Sequence, residues 1–210
     1  MDGMGGDDGH LVARARRGDT DAFRAIVEQH GRRLFRLARR ITGNDMDAED
    51  VVQETFIKAH RGLVDQAGYD DRATIGAWLH RIASNQALDL LRARRRAIVR
   101  TVNDAPGVPG LVETAPSQAP DPERRAIDAE VRRRIGGAMG RLSPKEKAAF
   151  VLRHLEGRSI AEIGESLDMS GNATKQSIFR AVRKVREALR KVAPRDAAPR
   201  DAASRIPRRS

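Results

Sequence analysis

Lysine, glutamine and arginine side chains near the carboxyl end of the chain are of the types that pair with base edges and phosphates. Those on the outward side of one predicted helix, together with one aromatic ring, are Lys175, Gln176, Phe179, Arg180, Arg183 and Lys184. In a major groove an amide can pair with adenine and a guanidinium with guanine, and any of these cations can neutralise phosphate. The chemistry indicated is recognition of DNA, and the sequence leaves open which side chain contacts which group.

A helix-turn-helix is predicted to position these side chains. Ser159 and Glu162 have the spacing of a capping box, which predicts a helix from Ile160. The short polar stretch 168–171 predicts a tight turn, in which Ser170 caps the second helix. A short helix, a turn and a second helix with an exposed cationic face form the geometry that enters a major groove. The buried stripe of that second helix is predicted to be Ile178, Val182, Val185 and Leu189.

The alternative interpretation of this segment is a structural helix pair with a solvated cationic face. Capped helix pairs are common, so the pattern alone does not establish DNA binding. Phe179 favours DNA binding, because a large aromatic ring outside the buried stripe does not suit a merely solvated surface.

The composition favours an all-α fold and an anionic partner. The 210 residues carry a formal net charge of +11, and such a balance raises association with nucleic acid or an anionic membrane. Aromatic residues make up only 3% of a chain that is 40% hydrophobic, so aliphatic side chains must build the core. No run shows sustained alternation of apolar and polar residues, which argues against sheets.

The chain has no cysteine, which excludes disulfides and thiolate metal sites and suits a reducing cytoplasm. No apolar run approaches the roughly 20 residues that span a bilayer, so membrane insertion is not expected. The acidic, glycine-rich first ten residues do not have the pattern of a secretory signal. These features together predict a cytoplasmic protein.

A proline-rich stretch divides the chain into two small helical domains. One domain is predicted over 11–96 and a second, which holds the helix-turn-helix, over 123–192. Five prolines and few charges between them, in 97–122, predict a flexible extended linker. Residues 1–10 are expected to be disordered, and 193–210 to form a disordered basic tail.

Capping residues predict where the main helices of the two domains begin. In the first domain a long helix is expected over about 19–43, a second capped by Asp47, and a third over about 75–96. In the second domain Ser143 is an N-cap followed by proline at the first helical position, and Glu146 completes a capping box.

The first domain holds two groups of polar and aromatic residues that invite a functional interpretation. The first group is a cluster of carboxylates and amides that starts at Asp47, on the outer face of a short predicted helix. Its alternative interpretation needs no partner, because acidic residues in a first helical turn complement the helix dipole. Trp78 and Asn85 share a helix that ends in the basic cluster 92–96, and Tyr69 lies in the loop before it. Aromatic rings beside cations can grip single-stranded nucleic acid, whereas a lone tryptophan commonly fills a core.

Three stretches, 47–61, 69–96 and 142–189, together resemble bacterial RNA polymerase sigma factors of the extracytoplasmic-function group. They read DAEDVVQETFIKAHR, YDDRATIGAWLHRIASNQALDLLRARRR and LSPKEKAAFVLRHLEGRSIAEIGESLDMSGNATKQSIFRAVRKVREAL. The resemblance covers about 11–96 and 123–192, in the family's order and with a short linker between. The chain departs from the family at Gly76, where a larger side chain is usual, and in the recognition segment SGNATKQS.

The resemblance implies roles for particular residues. The family's helix that docks on the β′ clamp of core RNA polymerase corresponds to Asp47, Asp50, Gln53, Glu54 and Phe56. The family's loop and helix that open the −10 promoter element and hold a flipped base correspond to Tyr69, Asp70, Arg72, Trp78 and Asn85. The family's residues that contact the phosphates of this DNA correspond to Arg92, Arg95 and Arg96. The −35 element is expected to be read from Lys175, Gln176, Phe179, Arg180 and Arg183.

The same resemblance implies promoter-specific initiation of transcription, without a catalysed reaction, a metal or a cofactor. The partners it implies are core RNA polymerase, through the β′ clamp and the β flap, promoter DNA and an anti-sigma factor.

Two other functions remain compatible with a helix-turn-helix. A stand-alone dimeric regulator would use the second domain but leaves the first domain and the linker without a purpose. An enzyme acting on DNA needs clustered carboxylates for a metal, or a nucleophile beside arginine and histidine. Tyr69 is the only tyrosine, the five histidines lack ligand spacing such as H-x-x-x-H, and the acidic stretch 47–50 is only a weak metal candidate.

Overall fold

All regular secondary structure is α-helical in the computed structural model, which describes residues 5–65, 69, 73–102 and 133–190. This confirms the predicted fold class. The helices are α1 (Gly5–Ala15), α2 (Thr20–Thr42), α3 (Asp45–Val64), α4 (Ile75–Val102), α5 (133–140), α6 (Pro144–His154), α7 (Ile160–Leu167) and α8 (Gly171–Arg190).

Most of the predicted capping residues bound the helices as expected. The Asp19 carboxylate accepts hydrogen bonds from the backbone N–H groups of the first turn of α2, and Gly43 ends α2 with φ of 99°. Both predicted capping boxes are present, because Ser143 and Ser159 exchange hydrogen bonds with the glutamates three residues later. Each box satisfies two backbone donors that a helix start otherwise leaves to water.

Three predictions about the helices of the first domain are wrong in detail. The disorder expected for residues 1–10 does not hold for 5–10, which lie in α1, where the Asp8 carboxylate accepts a hydrogen bond of 2.9 Å from Gln29. Asn44, and not Asp47, caps α3. The third helix continues to Val102 because no glycine or proline interrupts 97–102, so these residues are not an extended linker.

The remainder of the predicted linker, 103–122, and the predicted tail, 193–210, lie outside the described residues.

The amino-terminal bundle is formed by α2, α3 and α4, with α1 packed across them. Its core is aliphatic, as the scarcity of aromatic residues predicts. Each fully buried leucine or isoleucine contributes about 1.5–3 kcal/mol to the free energy of unfolding. The largest buried side chains of the bundle are Ile26, Leu34, Leu37, Ile41, Val51, Leu63, Ile75, Leu79 and Leu88.

The helix-turn-helix is formed by α7 and α8, which pack against α6. The hydroxyl of Ser170 accepts a hydrogen bond of 3.3 Å from the Ala173 N–H, which confirms Ser170 as a cap of α8. The predicted buried stripe of α8 is only partly correct. Thr174 and Ala181 are the buried residues of this helix, and Ile178, Val182 and Val185 are half-buried. Leu189, in the last turn of the helix, is 38% exposed.

The two halves of the molecule pack directly against one another. Helix α4 contacts both α6 and α7, and α2 contacts α6. Val151, Leu152 and Ile163 therefore belong to the same buried cluster as Leu37 and Leu79 of the amino-terminal bundle. No helix among the described residues is long and apolar enough to cross a membrane.

Gly164 permits the tight turn of the helix-turn-helix. A Cβ atom at this position would lie 2.8 Å from the carbonyl oxygen of Met169, and the Met169 N–H donates a hydrogen bond to the Gly164 carbonyl at 2.8 Å. The backbones of α7 and the turn therefore approach too closely for any side chain.

We expect Gly164→Ala to lower the free energy of unfolding by about 1–3 kcal/mol, because overpacking must displace backbone atoms and not a flexible side chain. Gly137→Ala, within α5, is the matched control, since nothing lies within 4 Å of the methyl group that alanine would add there. That variant should be neutral or more stable by up to about 1 kcal/mol. Urea unfolding monitored by circular dichroism measures both, and equal stability of the two variants would contradict the prediction.

Candidate nucleic-acid interface

The outward face of α8 presents the side chains that the sequence predicts to read DNA. They line one open groove, formed by Lys175, Gln176, Phe179, Arg180 and Arg183. Spacings of one, four, five and eight residues place them along one side of the helix. The ring of Phe179 is 67% exposed, so it is a surface side chain and not a misplaced core residue. The structure thus brings together all five residues predicted for −35 recognition.

A contact at the edge of this face holds α8 in place. The Lys184 ammonium donates a hydrogen bond of 2.6 Å to the Glu146 carboxylate on α6, so Lys184 is engaged within the protein rather than on the DNA-reading face. Burial opposes ionisation of Glu146, but the hydrogen bonds from Lys184 and Ser143 outweigh it and hold the pKa of this carboxyl below its ordinary value. A charged pair that bridges the two helices therefore fixes the rotation of α8.

Tyr69 and Trp78 form a ring pair at the start of α4. Their ring centroids are 5.1 Å apart at an interplanar angle of 62°, an edge-to-face arrangement. Trp78 packs on the core without being fully buried. It is therefore neither a pure core residue nor a fully exposed side chain. Asp70 and Arg72, which the resemblance places in the same loop, lie outside the described residues.

Helix α4 carries the remaining residues predicted to contact the −10 element. Trp78, Asn85 and Arg92 follow one another at intervals of seven residues, which places them on one side of the helix over about 21 Å. Asn85 is half-buried, and Arg92 pairs with Asp89 at 2.9 Å. Arg95 and Arg96 are exposed and line an open groove with Lys145 of α6. The helix thus presents an aromatic ring, an amide and a cationic end in that order.

The exposed face of α3 is acidic with apolar edges. Asp50, Gln53 and Glu54 are exposed, as the predicted polymerase contact requires. Met46, 79% exposed, and Ile57, 38% exposed, extend this face. Positions 46, 50, 53 and 57 have the spacing of one helix side, so the sequence could have shown that Met46 and Ile57 share this face with Asp50 and Gln53.

Of the other two predicted polymerase contacts, Phe56 lies at the edge of this face and Asp47 lies beneath it. Phe56 is 9% exposed, meets Phe23 edge-to-face and lines an open groove with Gln53 and Ile57. Asp47 is 6% exposed, because its carboxylate accepts a hydrogen bond of 2.7 Å from the Asn44 side chain and pairs with Arg94 at 2.5 Å. Asp47 therefore supports the helix from within in this arrangement.

Lys147 reaches from α6 into the amino-terminal bundle beside Asp47. Its buried ammonium donates a hydrogen bond of 3.0 Å to the carbonyl of Thr42, in the last turn of α2. Burial lowers the pKa of Lys147 to about 8, the Asp47 carboxylate opposes that shift, and the Arg94 guanidinium adds to it. A cation at the end of a helix is favourable for the helix dipole, so this contact joins the two halves through α2.

Glu156, just after α6, forms the second contact between the halves. It pairs with the Arg40 guanidinium, and its other carboxylate oxygen lies 3.7 Å from Nε2 of His80. Burial is the main cause that lowers the pKa of His80 to about 4, Arg158 adds to the effect, and Glu156 opposes it. His80 is therefore neutral at pH 7. Arg81 and Glu165, 3.4 Å apart, form a third contact between the halves. We call these contacts together the domain junction. It consists of Lys147 with the Thr42 carbonyl, Glu156 with Arg40 and His80, and Glu165 with Arg81.

The domain junction and Arg16 are the parts of the site that the sequence did not reveal. The Arg16 guanidinium carbon lies 5.2 Å from the centre of the Tyr69 ring. No spacing signal links residues so far apart in the chain, so only the tertiary structure could show them. No group of acidic or histidine residues within the described ranges is arranged to hold a metal ion.

Family models match both halves of the chain. The model of sigma-70 region 2 matches residues 26–97, and that of sigma-70 region 4 matches 132–185. The first match contains the α3 face and the Trp78 and Asn85 positions, and the second contains the helix-turn-helix.

Characterised relatives match over most of the chain. The ECF RNA polymerase sigma factor SigW of Bacillus subtilis is 31% identical over 86% of this chain and 93% of its own length. The ECF RNA polymerase sigma factor SigE of Mycolicibacterium smegmatis is 35% identical over 79% of this chain, which spans only 61% of that protein.

Solved structures show the same fold. CnrH, in complex with the cytosolic domain of CnrY, superposes with a TM-score of 0.58 at 28% identity and covers 89% of this chain and 99% of its own. The sigma factor RpoE, in complex with the anti-sigma factor NepR from Bartonella quintana, has a TM-score of 0.58 at 22% identity, covers 81% of this chain and 98% of its own, and supports the fold alone.

We expect acid to weaken the structure through His80. Its pKa is lower in the folded protein, about 4, than the 6.5 of an ordinary histidine, so the unfolded chain takes up the proton first as the pH falls. The stability that neutral His80 confers is complete above pH 6.5 and is lost between pH 6.5 and 4, at up to about 1.4 kcal/mol per pH unit.

Urea unfolding of the His80→Gln variant at pH values between 7 and 4 measures this effect. The variant should lose part of the pH dependence that the parent protein shows, whereas the control His154→Gln, at an exposed position of α6, should retain it. Parallel pH profiles for the parent and His80→Gln would show that His80 does not contribute.

Proposed function

The chain belongs to the extracytoplasmic-function group of RNA polymerase sigma factors, and we propose that it reads the −35 element with α8 and opens the −10 element with α4. As a sigma factor it directs core RNA polymerase to promoters and supports promoter-specific initiation of transcription. It does so by binding and positioning rather than by catalysing a reaction, in the cytoplasm where transcription takes place.

The observation that carries this proposal is the exposed row on α8. Four side chains able to pair with bases or phosphates, together with the Phe179 ring, line one groove on the second helix of a helix-turn-helix. Gln176 and Arg180 have the amide and guanidinium groups that pair with adenine and guanine, and Lys175 and Arg183 flank them as phosphate contacts. Phe179 supplies an apolar surface of the kind that contacts a thymine methyl group.

The ring pair and α4 supply what strand opening requires. A base that leaves the duplex loses stacking worth a few kcal/mol, which an aromatic partner can replace. Trp78 and Tyr69 provide such a partner, Asn85 lies on the same side of α4, and the cationic end from Arg92 to Arg96 attracts the strand's phosphates.

The α3 face is the proposed contact with the β′ clamp of core polymerase. Asp50, Gln53 and Glu54 supply polar groups, and Met46 and Ile57 supply the apolar contacts that a stable interface usually contains. We propose that Asp47 acts beneath this face by fixing α3, and that Phe56 contributes to the groove that it lines with Gln53 and Ile57. The second domain is proposed to meet the β flap, a contact for which the resemblance is the support.

The two halves must separate for both promoter elements to be bound at once. Positions −35 and −10 lie about 25 base pairs apart, or about 85 Å at 3.4 Å per base pair. In the structure α8 packs on α7, which packs on α4, and helices in contact lie only about 8–10 Å apart. We therefore propose that the closed arrangement is a state of the unbound protein and that the domain junction breaks when polymerase and promoter engage.

An anti-sigma factor is a further proposed partner. Two proteins of the same fold have been solved with bound proteins, CnrH with the cytosolic domain of CnrY and the sigma factor RpoE with the anti-sigma factor NepR. A protein that binds both halves of this chain would hold the α3 face and α8 away from polymerase and promoter.

We expect separate defects from Arg180→Ala and Asn85→Ala in transcription with core RNA polymerase. Arg180→Ala should reduce the preference for the natural −35 sequence about tenfold or more, since one base contact is worth about 1–3 kcal/mol. Asn85→Ala should slow strand opening while leaving −35 preference and core binding intact.

Abortive transcription on promoters with natural and altered −35 elements measures the first effect, and fluorescence of a base analogue in the −10 element measures the second. Arg141→Ala, exposed between α5 and α6 and outside the groove on α8, and Gln86→Ala, next to Asn85, are the matched controls. Loss of both activities in either variant would indicate a structural role, and unchanged −35 preference in Arg180→Ala would exclude this residue as a reader.

Opening of the domain junction is tested by a cleavable cross-link. The chain has no cysteine, so Arg81→Cys with Glu165→Cys introduces the only two thiols, one on each side of the junction. A short cleavable bis-maleimide between them should abolish initiation at promoters that need both elements, and cleavage should restore it. Full activity of the cross-linked protein would show that the two halves do not separate.

A further inference from the structure

Arg16, just past the end of α1, is in contact with the backbone and the ring of Tyr69. One of its terminal nitrogens donates a hydrogen bond of 3.3 Å to the Tyr69 carbonyl oxygen. Its guanidinium carbon lies 5.2 Å from the ring centre, within the range of a cation–π contact. A single side chain, 53 residues away in the chain, therefore constrains both the position and the orientation of this tyrosine.

Tyr69 is fixed by its own hydroxyl and by Trp78 as well. The hydroxyl donates a hydrogen bond of 2.9 Å to the Ala73 carbonyl, and the ring meets the indole edge-to-face at 5.1 Å. Arg16, Tyr69 and Trp78 thus form a continuous stack from the end of α1 to the first turn of α4, which we call the Arg16 stack.

The corner between α1 and α2 gives Arg16 a rigid support. Arg14 pairs with Asp19 at 2.7 Å, and the Asp19 carboxylate also accepts from the first backbone N–H groups of α2. The hydrogen bond from the Ala22 N–H is the main cause that lowers the pKa of Asp19, with Arg14 adding to it. Gly18 turns the corner with φ of 86°, so Arg16 is held between two fixed helix ends.

We propose that Arg16 is a positioning residue for opening of the −10 element, through its hold on Tyr69 and Trp78. This inference rests on the proposed role of that ring pair in capturing a base. A ring that is already oriented loses less conformational freedom when a base arrives, so capture is more favourable. The corner between α1 and α2, which no sequence signal connected with DNA, becomes part of the opening site.

Arginine suits this position better than lysine would. Its planar guanidinium can lie against a ring and donate to a neighbouring carbonyl at the same time, whereas an ammonium acts as a point charge on a flexible stem. The distinction allows a test, because Arg16→Lys keeps the charge and loses the planar contact.

The test uses the full chain with core polymerase and compares Arg16→Ala, Arg16→Lys and Arg17→Ala. Arg17 is the exposed neighbour, so its variant removes the same charge without touching the Arg16 stack. Strand opening is followed by a base analogue in the −10 element, and core binding is measured separately. We expect Arg16→Ala and Arg16→Lys to slow opening about tenfold at unchanged core affinity, and Arg17→Ala to open at the parent rate.

A spectroscopic readout shows whether the stack itself has changed. Trp78 and Tyr69 are the only tryptophan and the only tyrosine, so the near-ultraviolet circular dichroism of the free protein reports on their relative orientation. Arg16→Ala should change this signal, whereas Arg17→Ala should keep the signal of the parent. An unchanged signal in Arg16→Ala, or normal opening by Arg16→Lys, would overturn the positioning role.

Trp78→Ala separates this inference from the proposal on which it rests. If Trp78→Ala opens promoters normally, the ring pair has no part in opening and the proposed function of this site fails. If Trp78→Ala is defective while Arg16→Ala opens normally, the ring pair keeps its role and the inference about Arg16 alone is wrong.

Discussion

Helix α4 is the element on which the rest of the structure depends. It packs against the amino-terminal bundle on one side and against α6 and α7 on another, and a third side remains accessible to a ligand. Leu79, Ala83 and Leu88 pack into the core that α2 and α3 complete. The same helix supports α6 and α7, so the carboxyl-terminal half rests on it directly. Its small residues allow this close packing, and its remaining side carries Trp78, Asn85 and the arginine-rich end. A change of its rotation would therefore disturb the core, the domain junction and the proposed opening site together.

The net charge of +11 is divided between two kinds of cation. Lys175, Arg180 and Arg183 are exposed and point away from the protein, where they can meet a polyanion. Arg94, Lys147 and Lys184 instead pair with buried carboxylates or a buried helix-end carbonyl, although the Arg94 side chain itself is 55% exposed. Removing one of these paired cations leaves its buried partner uncompensated, which costs more than the pair itself contributes. Composition alone cannot separate the two kinds, although it correctly indicates an anionic ligand.

Local signals predicted the elements well, and long-range contacts account for what they missed. The capping residues at Asp19, Ser143 and Ser159 and the exposed face of α8 could be read from short windows, because caps and helix periodicity are local. The helical residues 5–10 depend on the contact of Asp8 with α2, a tertiary effect that overrides the poor helix propensity of glycine. The burial of Asp47, the domain junction and the Arg16 stack join segments distant in the chain, and no spacing encodes them. Gly76 is a departure from the family that the structure explains, since a Cβ there would lie 3.2 Å from the His30 ring.

The hydrogen bond between Lys147 and Thr42 has a consequence for competition among proteins that share one polymerase. If only the open chain binds polymerase, the apparent dissociation constant equals the intrinsic one divided by the open fraction. Each increment of about 1.4 kcal/mol in the stability of the domain junction then weakens apparent binding tenfold, although no residue of the polymerase contact has changed. Substitutions at Lys147, Arg40 or Glu156 would therefore change the concentration of this chain that is needed to occupy a given fraction of the polymerase.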